Sequence, residues 1–184
     1  MTPLPPGFEF SPEILFDETA IATRIRELGA GIADKHRGSD LTVVSISNGA
    51  TIFAADLVRA MDIPIRLDSL SARSYDGAES VGEVDFTPHL KLDPEGCRIL
   101  LLDDILDTGR TLRKVVEYLR DAGAESVETC VMLDKPARRV VEIESDHVGF
   151  EIQNVFVVGY GLDYNEYFRN LPYIGTLPAI EPSD

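Results

Sequence analysis

Residues 98–112 read R-I-L-L-L-D-D-I-L-D-T-G-R-T-L, and the rest of the chain is organised around this stretch. Its apolar run, residues 99–102, is typical of a strand that is covered on both faces in a parallel sheet. Two carboxylates, Asp103 and Asp104, follow at once, where open α/β sheets have their ligand crevice. The pattern predicts that these side chains bind hydroxyl groups or a metal ion.

A small polar turn, D-T-G-R-T at residues 107–111, comes next and leads into a helical pattern of apolar residues. Such a turn presents the free backbone N–H groups of a helix amino end, which bind phosphate. Gly109 lets the backbone come close to a bulky anion, and Thr108 and Thr111 add hydroxyl donors. The alternative is that Asp107 and Thr108 only cap the helix, since these residue types favour caps in any protein.

Composition and charge exclude several classes of protein. The chain has 184 residues, which suits one domain, and no apolar segment is long enough to span a bilayer. Its formal net charge of -15 argues against nucleic acid and membrane as partners, because phosphate backbones and anionic lipids repel an acidic surface. The start, M-T-P-L-P-P-G-F-E-F, lacks the basic and apolar parts of a signal peptide, so a cytoplasmic location is expected.

The cysteines and histidines do not have the spacing of metal ligands. Cys97 and Cys130 are expected to be structural or incidental thiols, with no disulfide in a reducing compartment. His36, His89 and His147 are scattered along the chain without clustering, which argues against a zinc site.

Strand and helix patterns alternate along the chain, which predicts an α/β fold with a mostly parallel sheet flanked by helices. Ser47-Asn48-Gly49 lies between a strand and a helix and is a second candidate anion site. Residues 71–83 have no periodicity, so we interpret them as a mobile functional loop or, more simply, a disordered surface loop. The predicted strands are 41–46, 63–70, 84–90, 127–133 and 155–160, and helices are predicted from Asp17 to Gly38, from Gly49 to about Met61 and from the polar turn to Gly123.

The string at residues 103–111 resembles the phosphoribosyl-diphosphate (PRPP) signature of type I phosphoribosyltransferases. Three more strings are similar to bacterial hypoxanthine/guanine phosphoribosyltransferases: L-D-K-P-A-R-R at 133–139, V-G-F-E-I at 148–152 and F-V-V-G-Y-G-L-D-Y-N-E-Y-F-R-N-L-P-Y-I at 156–174. The resemblance implies the type I phosphoribosyltransferase fold as a single domain over 1–184. It also implies a core over about 37–165 and a small hood formed by about 1–16 and 166–184.

The same resemblance implies an activity. It is that of a purine salvage enzyme, a pentosyltransferase that converts hypoxanthine or guanine and PRPP to IMP or GMP and pyrophosphate, with Mg²⁺ as cofactor. The family usually forms homodimers or homotetramers. Preference among hypoxanthine, guanine and xanthine does not follow from the sequence, because a single hydrogen bond at the 2-position of the purine decides it.

The resemblance places PRPP on the acidic strand end and the two turns. Asp103 and Asp104 are expected to bind the ribose hydroxyls and Mg²⁺, and Asp163 to make a further magnesium contact. The 5′-phosphate is expected on Asp107, Thr108, Gly109, Arg110 and Thr111, and the pyrophosphate on Ser47, Asn48, Gly49 and Arg169.

The resemblance also assigns the purine contacts. Asp107 is expected to be catalytic, because a carboxylate can bond N7–H and take or return its proton. Lys135 matches the donor to the 6-oxo group, although without its neighbouring strings it would read as an exposed charge. Phe156 matches the stacking aromatic, although alone it would more often be core. The expected purine contacts are Ile105, Lys135, Phe156, the main chain of Val157 and Asp163.

Two positions depart from the family pattern. The first turn usually reads Leu-Lys-Gly, and here Asn48 removes a cation beside the pyrophosphate or at a dimer contact. Arg73 replaces the usual small residue before Ser74 and Tyr75, which match the tip of a closing loop that seals the site. One hypothesis is that the Arg73 guanidinium supplies the missing positive charge; an unchanged KM for PRPP in Arg73→Ala would refute it.

Other readings of the same motifs stay open. A PRPP-sensing regulator would keep the anion-binding turn and bind nucleic acid, but the acidic charge, Lys135 and Phe156 argue against it. A related phosphoribosyltransferase that prefers xanthine fits the same strings. A phosphoacceptor receiver domain would explain the pair of aspartates, but that pair lies in mid-chain and leads directly into a phosphate-binding turn.

Overall fold

The structure, a computed structural model, describes residues 11–74, 84–87 and 90–177, with only the backbone described for 72–74 and 84–87. The helices are α1 (Glu18–His36), α2 (Ala50–Ala60) and α3 (Arg110–Asp121), and Pro136–Arg138 is a 3₁₀ turn. Within those ranges no helix has the length and apolar character needed to cross a bilayer. The strands are β1 (Glu13–Phe16), β2 (Leu41–Ser47), β3 (Ile65–Ser74), β4 (Val84–Thr87), β5 (Arg98–Leu106), β6 (Ser126–Asp134), β7 (His147–Glu151), β8 (Val157–Val158) and β9 (Ile174–Thr176).

The main sheet confirms the prediction of a mostly parallel α/β fold. Its six strands have the order β4-β3-β2-β5-β6-β7. All neighbouring pairs are parallel except β3 and β4, which are antiparallel. A separate three-stranded antiparallel sheet has the order β1-β9-β8.

The central strand β5 is buried on both faces, as its apolar run predicts. Leu100 and Leu102 belong to the cluster that α1 and α2 cover, and Ile99 and Leu101 belong to the cluster that α3 covers on the other face. The four side chains are at most 2% exposed. Helices therefore flank the sheet on both sides.

The first helix begins and ends where its sequence signals predict. Asp17 is the N-cap, and its Oδ1 accepts from the amide of Ala20 at 2.8 Å. The helix ends at His36, shortly before Gly38, whose φ of +82° lies in the left-handed region. Glycine adopts this conformation at little cost, so Gly38 terminates the helix.

The main sheet extends further along two strands than apolar patterning predicts. β5 continues through both aspartates to Leu106, because β6 goes on pairing with it as far as Leu106 opposite Asp134. β3 continues to Ser74, so the prediction of a loop over 71–83 is wrong for 71–74, which pair with β4. The remainder of that predicted loop, 75–83, lies outside the described residues. Pairing with a neighbouring strand involves residues that are distant in sequence. A polar strand end that is held by such pairing has no hydrophobic alternation from which it could be predicted.

Two shorter strands also differ from prediction. The return strand expected over 84–90 is observed as β4, and residues 88–89 lie outside the described part. The strand expected over 155–160 is only the two residues of β8, and it pairs with β9 rather than with the main sheet. The small sheet thus draws strands from near both ends of the chain. The division into a core and a hood stays a prediction.

Candidate active site

A crevice lies at the carboxyl edge of the main sheet, between β2 and β5. From β2 the chain moves outward to β3 and β4, and from β5 it moves outward the other way to β6 and β7. Pairing of β2 with β5 stops at Ser45 opposite Leu102, which leaves the end of β5 open on that side. Ligands of open α/β sheets bind at such a topological switch point.

The paired carboxylates stand in this opening. Asp103 is 7% exposed and Asp104 is half-buried. Burial raises the pKa of Asp103 well above its ordinary value, and the neighbouring Asp104 raises it further. Burial also raises the pKa of Asp104, although hydrogen bonds and the charge of Arg169 oppose this. A cation from outside the protein would stabilise the ionised form of both carboxyl groups.

The turn after β5 has the geometry of an anion-binding helix end. Gly109 is the N-cap of α3, with a φ of +84°, and as a glycine it has no side chain to cap the helix. The Thr108 hydroxyl lies 3.5 Å from the amide of Arg110, a long distance for a hydrogen bond. Among the described residues the Asp107 carboxylate bonds to Arg138 and not to the helix, so the capping alternative holds at most for Thr108, and the amides that follow Arg110 are available to an anion.

Glycine is required at 109 by packing as well as by φ. A Cβ there would lie 2.6 Å from Cγ2 of Ile143 and 2.9 Å from Cγ2 of Val141. Glycine at 109 therefore leaves room for the side chains of Ile143 and Val141. The sequence had suggested a different reason for this glycine, the close approach of an anion.

The turn after β2 packs directly against the carboxylate pair. A Cβ on Gly49 would lie 1.8 Å from Oδ2 of Asp104, and one on Gly161 would lie 2.2 Å from the carbonyl oxygen of Gly49. The two turns line one cavity of about 450 Å³. Of the predicted residues, those lining it are Ser47, Asn48, Gly49, Asp103, Asp104, Ile105, Asp107, Thr108, Gly109, Thr111, Asp163 and Arg169.

This cavity is strongly acidic. Among the described residues, Arg169 is the one cationic side chain that lines it. Its Nη2 lies 2.7 Å from Asp163 Oδ1 and 3.0 Å from Glu166 Oε2, and its Nη1 donates to the carbonyl oxygen of Gly161 at 2.8 Å. The carboxylates lining it are Asp103, Asp104, Asp107, Asp163 and Glu166.

The donor set suits a magnesium ion that arrives with an anionic ligand. In the described part of the chain, no three His, Cys, Asp or Glu side chains are close enough together to hold a metal by themselves. Mg²⁺ is commonly held by one or two carboxylates together with substrate phosphates and water, so Asp103 and Asp104 fit that pattern.

A second cavity, of about 400 Å³, adjoins the first and shares Asp104, Ile105, Asp107 and Asp163 with it. Lys135 lines it and is 6% exposed. Burial lowers the pKa of Lys135, the carboxylate of Asp107 opposes that shift, and the cation of Arg138 adds to it. The cavity therefore combines one buried ammonium group with the Arg138 guanidinium and three carboxylates.

An aromatic side chain forms part of the same cavity. Phe156 is 49% exposed and makes an edge-to-face contact with Tyr164, the ring centroids lying 5.6 Å apart. Val157, the next residue, is buried in β8 and also lines the cavity. An exposed ring beside a backbone edge can stack on a planar ligand.

Not every predicted site residue is brought to these cavities. Arg110 begins α3 and lines neither of them. Arg73 and Ser74 are the last residues of β3 with only their backbone described, and Tyr75 lies outside the described residues. Sequence reasoning missed Arg138 and Glu166, although each is a charged residue inside a string quoted for the resemblance.

Two of the histidines contact the same carboxylate, so the expectation that the histidines are scattered does not hold for them in the fold. Nε2 of His36 lies 3.4 Å, and Nε2 of His147 3.3 Å, from Oε2 of Glu128. His89 lies outside the described residues. Cys97 and Cys130 are free and buried, and burial raises the pKa of Cys130 to about 12, which makes it an unreactive thiol.

An open sheet with its crevice at the switch point, and a helix amino end beside an acidic strand end, is the architecture of α/β proteins that bind phosphorylated ligands. The phosphoribosyl transferase domain family matches residues 11–165. The chain belongs to the phosphoribosyltransferase family, in its hypoxanthine-guanine branch.

Relatives and solved structures agree with this placement. The hypoxanthine-guanine phosphoribosyltransferase of Staphylococcus aureus is 42% identical over 166 residues, which cover 90% of this chain and 93% of that protein. The bifunctional protein TilS/HprT of Listeria monocytogenes is 44% identical over 166 residues and 90% of this chain, but the chain spans only 26% of that relative. A crystal structure of a Staphylococcus aureus hypoxanthine phosphoribosyltransferase has a TM-score of 0.86 at 42% identity, over 90% of this chain and 91% of that one. The fold is therefore the type I phosphoribosyltransferase fold.

Proposed function

We propose that the protein is a purine salvage enzyme that transfers the phosphoribosyl group of PRPP to hypoxanthine or guanine. The products are IMP or GMP and pyrophosphate. The observation that carries the proposal is that Lys135, Asp107 and an exposed Phe156 line one cavity, which opens beside the anion-binding turn. A 6-oxopurine presents an oxygen acceptor, an N–H donor and a flat ring to such a cavity.

Asp107 is proposed as the catalytic residue. Its carboxylate accepts a hydrogen bond from purine N7–H and takes that proton as the glycosidic bond forms at N9. Lys135 donates to the 6-oxo group, whereas the amino group of adenine would face the ammonium without an acceptor. Phe156 stacks on the base, Ile105 lies across the base from it, and the backbone of Val157 reads the edge of the base.

The acidic strand end is proposed to bind the ribose and a magnesium ion. Asp103 and Asp104 accept from the 2′- and 3′-hydroxyls, and Asp163 makes a further metal contact. A magnesium ion held there would supply positive charge that stabilises the pyrophosphate leaving group. The turn after β2 and Arg169 bind the pyrophosphate, and the turn after β5 binds the 5′-phosphate through its amides.

Some expectations from the resemblance stay predictions. These are a homodimer or homotetramer, a cytoplasmic location without nucleic-acid or membrane partners, and a closing loop at Arg73, Ser74 and Tyr75. A nearby alternative is a preference for xanthine. Five carboxylates against one arginine in the lining of the first cavity disfavour the other alternative, a sensor that binds nucleic acid, because a phosphate backbone that brings no divalent cation would be repelled there.

A spectrophotometric assay with PRPP, Mg²⁺ and each of hypoxanthine, guanine, xanthine and adenine tests the proposal. We expect turnover with hypoxanthine and guanine and none with adenine. Activity on adenine alone would refute the role of Lys135. Absence of turnover with every base, together with retention of labelled nucleic acid on filters at low salt, would favour the sensor.

Asp107→Asn tests the proton-handling role. The amide cannot accept the N7 proton, so we expect kcat to fall about 10²- to 10⁴-fold while KM for PRPP changes little. The matched control is Asp121→Asn, which alters an exposed carboxylate at the end of α3 and should leave both constants unchanged. An unchanged kcat in Asp107→Asn would remove the role.

A further inference from the structure

The second cavity, which contains Lys135 and Phe156, also contains an ion pair that the proposed chemistry does not use. Nε of Arg138 donates to Oδ1 of Asp107 at 3.1 Å, and the two side chains are 45% and 34% exposed. Oδ2 of Asp107 has no hydrogen-bond partner in the part of the chain that the structure describes. One oxygen of the carboxylate is thus held by the protein, and the other is left for a ligand.

The backbone holds Arg138 in a fixed place relative to Asp107. The amide of Arg138 donates to the carbonyl of Lys135 at 3.1 Å, and the amide of Lys135 donates to the carbonyl of Leu106 at 3.0 Å. On the other side, the amide of Val140 donates to the carbonyl of Thr108 at 3.0 Å. The segment that carries Arg138 is therefore bonded to the residues on both sides of Asp107.

Another side chain, that of Arg139, already connects this segment to the turn after β5. Nη1 of Arg139 donates to the carbonyl of Leu106 at 2.9 Å and also to the carbonyl of Asp107, and its Nη2 pairs with Asp134. The Arg138 side chain, in contrast, bonds to the Asp107 carboxylate, and no other hydrogen bond of it is found among the described residues. A purely structural role for Arg138 would duplicate that of Arg139.

We propose that Arg138 is a positioning residue for proton transfer to Asp107: its guanidinium fixes one carboxylate oxygen so that the other accepts purine N7–H. The proposal rests on the proposed function of the site. A carboxylate torsion is broad, so an unanchored Asp107 would sample orientations in which neither oxygen is aimed at N7. A base held in place by a third group is the arrangement that active sites use to orient a proton acceptor.

Three variants test the proposal in the full chain. Arg138→Met removes the donor and the charge but keeps the length of the side chain, and Arg138→Lys restores the charge. The matched control is Arg113→Met, because Nε of Arg113 pairs with Glu117 at 2.9 Å on a side chain that is 49% exposed and lines neither cavity. We expect kcat/KM for hypoxanthine to fall about tenfold in Arg138→Met, less in Arg138→Lys and not in Arg113→Met, with KM for PRPP unchanged.

Inhibition by two isomeric bases separates positioning from a loss of structure. 9-Deazahypoxanthine carries a fixed N–H at position 7, whereas 7-deazahypoxanthine has carbon there and carries its ring N–H at position 9. In Arg138→Met we expect the inhibition constant of the 9-deaza isomer to rise about tenfold and that of the 7-deaza isomer to stay the same.

The outcomes distinguish this inference from the proposed function. If the inhibition constants of both isomers change equally in Arg138→Met, or if neither changes, while the wild-type chain is active, the positioning role of Arg138 is refuted. The proposed function of the site would then still stand. A wild-type chain that turns over no purine would overturn both proposals together.

Discussion

Two groups of charged side chains lie at opposite ends of the main sheet, on neighbouring strands, and their carboxylates have opposite surroundings. At the carboxyl end, Asp103 and Asp104 of β5 stand side by side, and Arg169 is the one described cation lining their cavity. Near the amino end of β6, Glu128 is surrounded by basic groups. These are Lys35 at 2.9 Å, His36 at 3.4 Å and His147 at 3.3 Å.

The two groups respond to burial differently. Burial raises the pKa of Asp103 well above its ordinary value, and its neighbour Asp104 adds to the shift. Burial also acts to raise the pKa of Glu128, but hydrogen bonds from Lys35 and His147 outweigh it, so that pKa is lowered. Carboxylates satisfied within the fold stabilise it, whereas carboxylates left without a protein cation are available to bind one from a ligand.

The largest expected effect on stability comes from adding one methyl group at the carboxyl end. In Gly49→Ala the new Cβ would meet Oδ2 of Asp104 at 1.8 Å, so either the turn or the Asp104 carboxylate must move. We expect a loss of about 3 kcal/mol in the free energy of unfolding, together with loss of turnover. Urea unfolding and the hypoxanthine assay measure the two effects.

The control for this change lies in the helix that reaches the other group. Gly31 is an exposed residue inside α1, and a Cβ there would have no atom within 4 Å. Gly31→Ala should stabilise the protein by about 0.5 to 1 kcal/mol through helix propensity and leave turnover unchanged. If Gly49→Ala and Gly31→Ala lowered the free energy of unfolding by similar amounts, the turn at Gly49 would be no more tightly packed than the exposed face of α1.

The next effect, at the basic group, should separate stability from activity. Glu128→Gln removes the charge that Lys35 and His147 stabilise, and we expect a loss of about 1.5 kcal/mol at neutral pH with normal turnover. A carboxyl with a lowered folded pKa contributes stability above its ordinary value of 4.5 and loses that contribution as pH falls further. Urea unfolding at several pH values should therefore show the two proteins converging in acid, and a difference that persists there would contradict the assignment.

The smallest effect should have the opposite sign. Asp103→Asn removes one of two like charges, and we expect it to stabilise the ligand-free protein by about 1 kcal/mol at neutral pH while lowering turnover. A carboxyl with a raised folded pKa favours folding in acid, and this contribution is lost as pH rises above 3.8 through the folded pKa. The advantage of the variant should thus vanish below 3.8. If Asp103→Asn instead destabilised the protein at neutral pH, the contrast between the Asp103 and Glu128 groups would be wrong.

Much of the fold and of the candidate site follows from local pattern. The apolar run 99–102 predicted a strand covered on both faces, Asp17 predicted the start of α1, and the small polar turns predicted helix amino ends at the crevice. These features are determined by residues that are close in sequence, because hydrophobic periodicity, helix caps and turns each involve only a few consecutive residues.

The site roles came mainly from the long strings of the resemblance. Lys135 and Phe156 have no local signal of function, because a charge before a proline and an aromatic in an apolar run fit a surface and a core equally well. The structure places both at one cavity, which supports their proposed roles.

The sequence by itself determined the helices, most strands of the main sheet, the mostly parallel pairing of that sheet and the turns that can bind anions. Only the tertiary structure decided that β5 runs on past its aspartates, that two distant histidines meet Glu128, and that Arg138 reaches Asp107. The physical reason is range. Secondary structure is governed by interactions within a few residues, whereas strand pairing and charge partners depend on contacts between segments far apart in the chain, which no local pattern records.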